Sequence, residues 1–207
     1  MTDEHRNAVR DGYDAIAPFY ADSRSENPDE IALIDEFCDR VPDGSLVLDA
    51  GCGEGRPVSA YLARTFGVVG LDISHVQAER ATGHVPDARF VQGDLASLPF
   101  PSDAFAGLTC FHAVIHVPRT DHATVYEEFA RVLEPGGWLL CTTGTSEWEG
   151  SNPDWLDSGT EMRWSLYGPE REREWLEAAG FTVERSTTIA DEMGDGAFEY
   201  WLAKRTP

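Results

Sequence analysis

Lysine is almost absent. Lys204 stands alone among 207 residues, and Lys plus Arg total 16 against 37 acidic residues, a formal net charge of −21. So little positive charge argues against binding to a phosphate backbone, so no nucleic-acid partner is expected. Long apolar runs are missing too, and Met1 to Arg10 is charged rather than signal-like, which predicts a cytoplasmic protein with no membrane partner. The four cysteines, Cys38, Cys52, Cys110 and Cys141, form no C-x-x-C pair. That excludes a zinc knuckle and a disulfide-stapled module, and predicts reduced, buried thiols. No linker, internal repeat or low-complexity tract interrupts the chain, so one domain is expected. Hydrophobic residues at 42% and charged residues at 26% suit a soluble fold with a sizeable core. The acid is dispersed along the chain, and with arginine in place of lysine this predicts a surface adapted to strong salt, a halophilic trait.

Short aliphatic runs alternate with helix-like stretches, the pattern of βα units around a mainly parallel sheet. Strands are predicted over Ser45 to Ala50, Val68 to Ile73, Arg89 to Gly93, Phe105 to Phe111 and Trp138 to Thr143. Helices are predicted over Asn7 to Tyr20, Pro28 to Arg40, Pro57 to Phe66, Ser74 to Thr82, His122 to Leu133 and Pro169 to Ala179. Ser74 reads as an N-cap and Gly180 as a helix stop. Gly144 to Tyr167 breaks the rhythm with Trp148, Trp155 and Trp164 and reads as a functional loop. Phe181 to Ile189 and Ala197 to Ala203 close the chain as an antiparallel hairpin turning through Asp191 to Gly196.

The first strand breaks into Asp49-Ala50-Gly51-Cys52-Gly53-Glu54-Gly55 before a helix. Open α/β sheets bind ligands at the carboxyl ends of their strands, where glycine lets the backbone approach. The spacing is G-x-G-x-G rather than the G-x-G-x-x-G that seats a pyrophosphate, and Asp49 would repel one. Asp49 suits an ammonium group instead, directly or through water. Asp72 ends the second strand 23 residues later, and a carboxylate there can take both hydroxyls of a ribose. Asp94 recurs 22 residues further on, where its carboxylate can accept from an adenine amino group while the Leu95 N–H donates to a ring nitrogen.

Val47 to Arg56, Gly70 to Ser74, Val91 to Phe100, Phe105 to Val117 and Arg131 to Thr143, including Leu133-Glu134-Pro135-Gly136-Gly137, resemble in order the motifs of class I S-adenosylmethionine-dependent methyltransferases. The resemblance implies an α/β Rossmann-like three-layer sandwich whose seven-stranded sheet is mostly parallel with its last strand antiparallel. It implies S-adenosylmethionine as cofactor, a small-molecule acceptor, and donor contacts at Gly51, Cys52, Gly53, Asp72, Ile73, Asp94 and Leu95. Cys110 and Phe111 then fall near the donor's methionine part. Ala106 and Pro57 depart from the family's usual residues without removing a donor contact.

Tyr13 to Tyr20 is similar to a lid helix of small-molecule members, which would place Tyr20 over the donor and Arg24 on its carboxylate. His116 resembles a histidine common after the fourth strand and is the candidate base for a protonated acceptor. Met162, Trp164 and Tyr167 are the candidate acceptor-pocket residues. His112, His116 and His122 lack accompanying ligands and predict no metal. Two alternatives stay open: a protein that binds S-adenosylmethionine without turnover, and a nicotinamide-dependent dehydrogenase, which the glycine spacing and Asp49 disfavour.

Overall fold

A computed structural model describes residues 2–20, 27–191 and 196–207. Two helices lead the chain, α1 (Thr2–Tyr20) and α2 (Pro28–Cys38). Then follow β1 (Leu46–Ala50), α3 (Val58–Leu62), β2 (Gly67–Asp72), α4 (His75–His84), β3 (Arg89–Gln92), β4 (Phe105–Cys110), α5 (His122–Val132) and β5 (Leu133–Gly144). After β5 come β6 (Trp148–Asn152), β7 (Met162–Leu166), α6 (Pro169–Ala178), β8 (Phe181–Ala190) and β9 (Ala197–Arg205). Seven strands form one sheet in the order β3-β2-β1-β4-β5-β9-β8, in which β9 runs opposite to the other six. The implied sheet is therefore the observed one.

The strands are aliphatic because both sheet faces are covered. Val47 and Leu48 are adjacent and fully buried, yet Val47 packs with Leu33, Ile34 and Phe37 of α2 while Leu48 packs with Val125, Tyr126 and Phe129 of α5. Leu139 and Leu140 divide in the same way, so side-chain alternation sorts the core into two layers. Local signals hold where expected: Ser74 Oγ accepts from the Gln77 N–H at 3.0 Å, and Gly180, at φ +96°, follows α6. Pro57 sits in the capping position of α3, which is shorter than the predicted Pro57 to Phe66 helix.

Gly144 to Tyr167 corrects the prediction of a loop. Its ends pair as the antiparallel hairpin β6-β7, a separate two-stranded sheet on which α1 packs. The terminal hairpin pairs as expected; of its turn, residues 192–195 lie outside the described residues.

Candidate functional site

The carboxyl ends of β1, β2, β3 and β4 open onto a cavity of about 390 Å³. Gly51 turns the chain at φ +78°, and a Cβ there would lie 2.2 Å from the Ala113 Cβ, so the loop approaches the β4 exit only because this residue is glycine. Asp49 lines the floor, 1% exposed, with Oδ2 accepting from Ser59 Oγ at 2.5 Å and Oδ1 from Thr109 Oγ1 at 3.0 Å. Asp72 accepts from the Gly53 and Ser74 backbone N–H groups, both at 2.8 Å, which ties the glycine loop to the β2 exit. Burial pushes both carboxyls up to about 6 against the pull of these hydrogen bonds. A carboxylate has about four acceptor sites, more than these bonds occupy, so each retains capacity for a ligand donor.

Ile73, Asp94 and Leu95 line the same cavity at the exits of β2 and β3. Asp94 Oδ1 accepts from the Ala96 N–H at 2.9 Å, while Oδ2 takes the Arg6 guanidinium at 2.5 Å. Arg6 also reaches Asp121 Oδ2 at 2.5 Å, so α1 bridges two edges of the opening. Asp14 adds bonds to Ser74 Oγ at 2.5 Å and to the Val76 N–H at 3.3 Å. The first helix is thus pinned across the cavity by polar contacts that its sequence did not reveal.

His116 lines the cavity, 7% exposed. Its Nδ1 faces the Arg163 carbonyl at 2.8 Å, and a carbonyl only accepts, so the neutral ring carries its proton there. Nε2 then accepts from the Tyr13 hydroxyl at 2.8 Å. A base at this position reaches the cavity through Tyr13, which also lines it. A second group stands nearby. Glu30 of α2 accepts from the Tyr200 hydroxyl of β9 and lies 2.8 Å from His112 Nε2, with Glu30, Phe111 and His112 all on the cavity wall.

The three candidate acceptor residues stand off this cavity. Met162 is fully buried under α1, near Gly12, and fills core. Trp164 packs against His116, Trp148 and Trp155, behind the cavity wall. Tyr167 stacks edge-on to Trp175 and under the Arg119 guanidinium. None of the three lines the cavity. Cys110 does not line it either: its side chain is fully buried in the core and burial pushes its thiol well up, whereas its neighbour Phe111 reaches the wall. Cys52 does line the cavity. The Tyr20 side chain and Arg24 lie outside the described residues. Sequence reasoning missed Arg6, Tyr13, Glu30 and Tyr200; of these only Tyr13 lay in a motif already singled out.

A parallel-stranded sheet with glycine at the first strand exit and acids at the next two defines a nucleoside-binding α/β protein of the doubly wound type. The bare glycine turn and the paired lone pairs of Asp72 fit an adenosyl group. Residues 47–137 match a family described as a methyltransferase domain. The sterol 24-C-methyltransferase of Yarrowia lipolytica is 32% identical over 182 residues, covering 79% of this chain and 46% of that protein. A tRNA (carboxymethyluridine(34)-5-O)-methyltransferase of Arabidopsis thaliana is 29% identical over 79% of this chain and 37% of its own length. Among solved structures, the 1,6-didemethyltoxoflavin-N1-methyltransferase of Burkholderia thailandensis, bound to 1,6-didemethyltoxoflavin and S-adenosylhomocysteine, superposes with a TM-score of 0.76 at 19% identity, over 100% of this chain and 91% of that one. The chain spans about half the length, or less, of these curated relatives. Over residues 47–137 and in its fold the chain is thus similar to S-adenosylmethionine-dependent methyltransferases.

Proposed function

We propose that the protein transfers the methyl group of S-adenosylmethionine to a small molecule. The observation that carries this is the convergence of Gly51, Asp72 and Asp94 on one cavity from three successive strand exits. The donor supplies a methyl group on a positively charged sulfur, which departs neutral. Asp72 would hold the ribose hydroxyls with the lone pairs left over from Gly53 and Ser74. Ile73, Asp94 and Leu95 would take the adenine, with Arg6 moving from Asp94 Oδ2 or sharing it. Asp49, Gly51, Cys52 and Gly53 would hold the amino-acid end near Phe111, with Tyr20 and Arg24 closing over it. α1 would exclude water, and alignment of the acceptor at about 3 Å would supply most of the acceleration. Where the acceptor arrives protonated, Tyr13 would pass its proton to His116.

The acceptor is read as a small molecule because a net charge of −21 repels phosphate and α1 narrows the opening. The tRNA-acting relative makes RNA the competing acceptor to test. A cytoplasmic location and a surface tuned to strong salt belong to the same reading; among the described residues no helix is long and apolar enough to cross a membrane. Incubation with labelled donor and fractionated metabolites tests the function directly. Label appearing in a small product, with S-adenosylhomocysteine formed, supports it. Donor binding with no transfer to any fraction would favour a binding protein, and competition by NADH would favour the dehydrogenase.

A further inference from the structure

Glu30 is a charged wall residue with no role in the donor contacts above. Its carboxylate projects from the first turn of α2 into the cavity and is held by the Tyr200 hydroxyl and by His112 Nε2 at 2.8 Å, and the Tyr200 oxygen lies 3.1 Å from that same nitrogen. Three elements distant in sequence therefore deliver a carboxylate, an imidazole and a phenol to one point. The Phe111 ring shares the wall and packs edge-on to Tyr200 at 5.7 Å. Of the described arginines of the wall, Arg6 pairs with Asp94 and Asp121 and Arg56 with Glu54. A carboxylate beside an aromatic ring suits a cation.

We propose that Glu30, with His112 and Tyr200, forms the acceptor subsite and takes an amine that arrives as its ammonium ion, a reading that rests on the methyltransferase function above. The ammonium nitrogen gives one proton to the His112–Glu30 pair, which frees its electron pair. That pair forms the carbon–nitrogen bond to the methyl carbon as the carbon–sulfur bond breaks and its electrons stay on sulfur. The product leaves as the methylated ammonium ion, and the proton held by the pair passes to solvent. Tyr200 positions the Glu30 carboxylate from behind.

The test is a charge series of equal size, benzylamine, benzyl alcohol and benzoate, titrated calorimetrically into protein saturated with S-adenosylhomocysteine. Benzylamine should bind at least tenfold more tightly than the alcohol, and benzoate most weakly. Glu30→Gln should abolish the preference for the amine while Glu30→Asp keeps the order, both with S-adenosylhomocysteine affinity within twofold of the parent. Benzoate binding as well as benzylamine, no binding of benzylamine at millimolar concentration, or a preference surviving in Glu30→Gln would overturn the proposal. The series on the parent protein stands even where a variant fails to fold. Absence of S-adenosylhomocysteine binding by the parent would overturn the methyltransferase reading instead, so the two failures are distinct.

Discussion

Lowering the pH should release S-adenosylhomocysteine from this protein in a steep and calculable way. Asp49 and Asp72 are both buried and pushed up to about 6, and their proposed tasks, an ammonium and a ribose, call for the ionised form. A bound ligand would supply donors to both, which favours ionisation and pulls each pKa back down. If only the doubly ionised site binds, each aspartate is half ionised at pH 6 and the affinity falls by about fourfold relative to pH 8. At pH 5 each is about one tenth ionised, and the loss is about a hundredfold. Linkage then requires proton release on binding, about one proton in total at pH 6 and about 0.2 at pH 7. Calorimetry in buffers of different ionisation enthalpy reads both the affinity and the proton count. Asp72→Asn should weaken binding at pH 8 and reduce the pH 5 loss to about tenfold, since one titrating group remains. An affinity that stays flat between pH 5 and pH 8, or binding without proton release at pH 6, refutes the assignment of these carboxylates to the ligand.

The same aspartates make the ligand-free fold more stable in mild acid. Their folded pKa is raised, so their contribution is fully present below about pH 4 and is lost as pH rises through about 6, roughly 2 to 3 kcal/mol each. Thermal unfolding without ligand should show a higher Tm at pH 5 than at pH 8, with the difference reduced in Asp72→Asn; a difference that the substitution leaves unchanged would rule out Asp72 as its source. Gly12→Ala should destabilise, against the ordinary gain of about 1 kcal/mol for this change inside a helix. The added Cβ would lie 2.8 Å from Met162 Cε and 3.0 Å from the Glu161 carbonyl, so the fully buried Met162 side chain and that carbonyl must shift against α1, and weaker S-adenosylhomocysteine binding should accompany the lower Tm. Stability should climb from low to molar potassium chloride as salt screens the net charge of −21. A flat or falling salt series would remove the case for a halophilic surface.

The sheet and the strand exits that line the cavity were legible because two physical rules act locally. A parallel strand buried on both faces must be aliphatic, as Val47 and Leu48 show, and a ligand at its carboxyl end leaves glycine or acid there. Gly51, Asp72 and Asp94 could therefore be read one strand at a time. The hairpin gave no such signal: Trp148-Glu149-Gly150-Ser151-Asn152 is exposed except at its central glycine, so no face is buried and no alternation is written into it. The tryptophans around it suggested an acceptor wall, yet Trp164 braces His116 from outside the cavity.

The acceptor side is a product of tertiary contact, and that explains why it escaped. Glu30 meets Tyr200 across 170 residues and Tyr13 meets His116 across 103, and nothing in the immediate surroundings of any of them marks a partner. Glu30 sits in the first turn of α2, where an acid is already favoured by the helix dipole, so its identity alone carried no information. Tyr200 lies in an antiparallel strand next to Trp201 and Leu202, and reads as core, which it is, with its hydroxyl turned to Glu30. The core packing that brings β9 beside β5 also delivers that hydroxyl to Glu30. A strand added at the far side of the sheet thereby braces a wall carboxylate from behind, leaving the glycine loop and the three aspartates untouched.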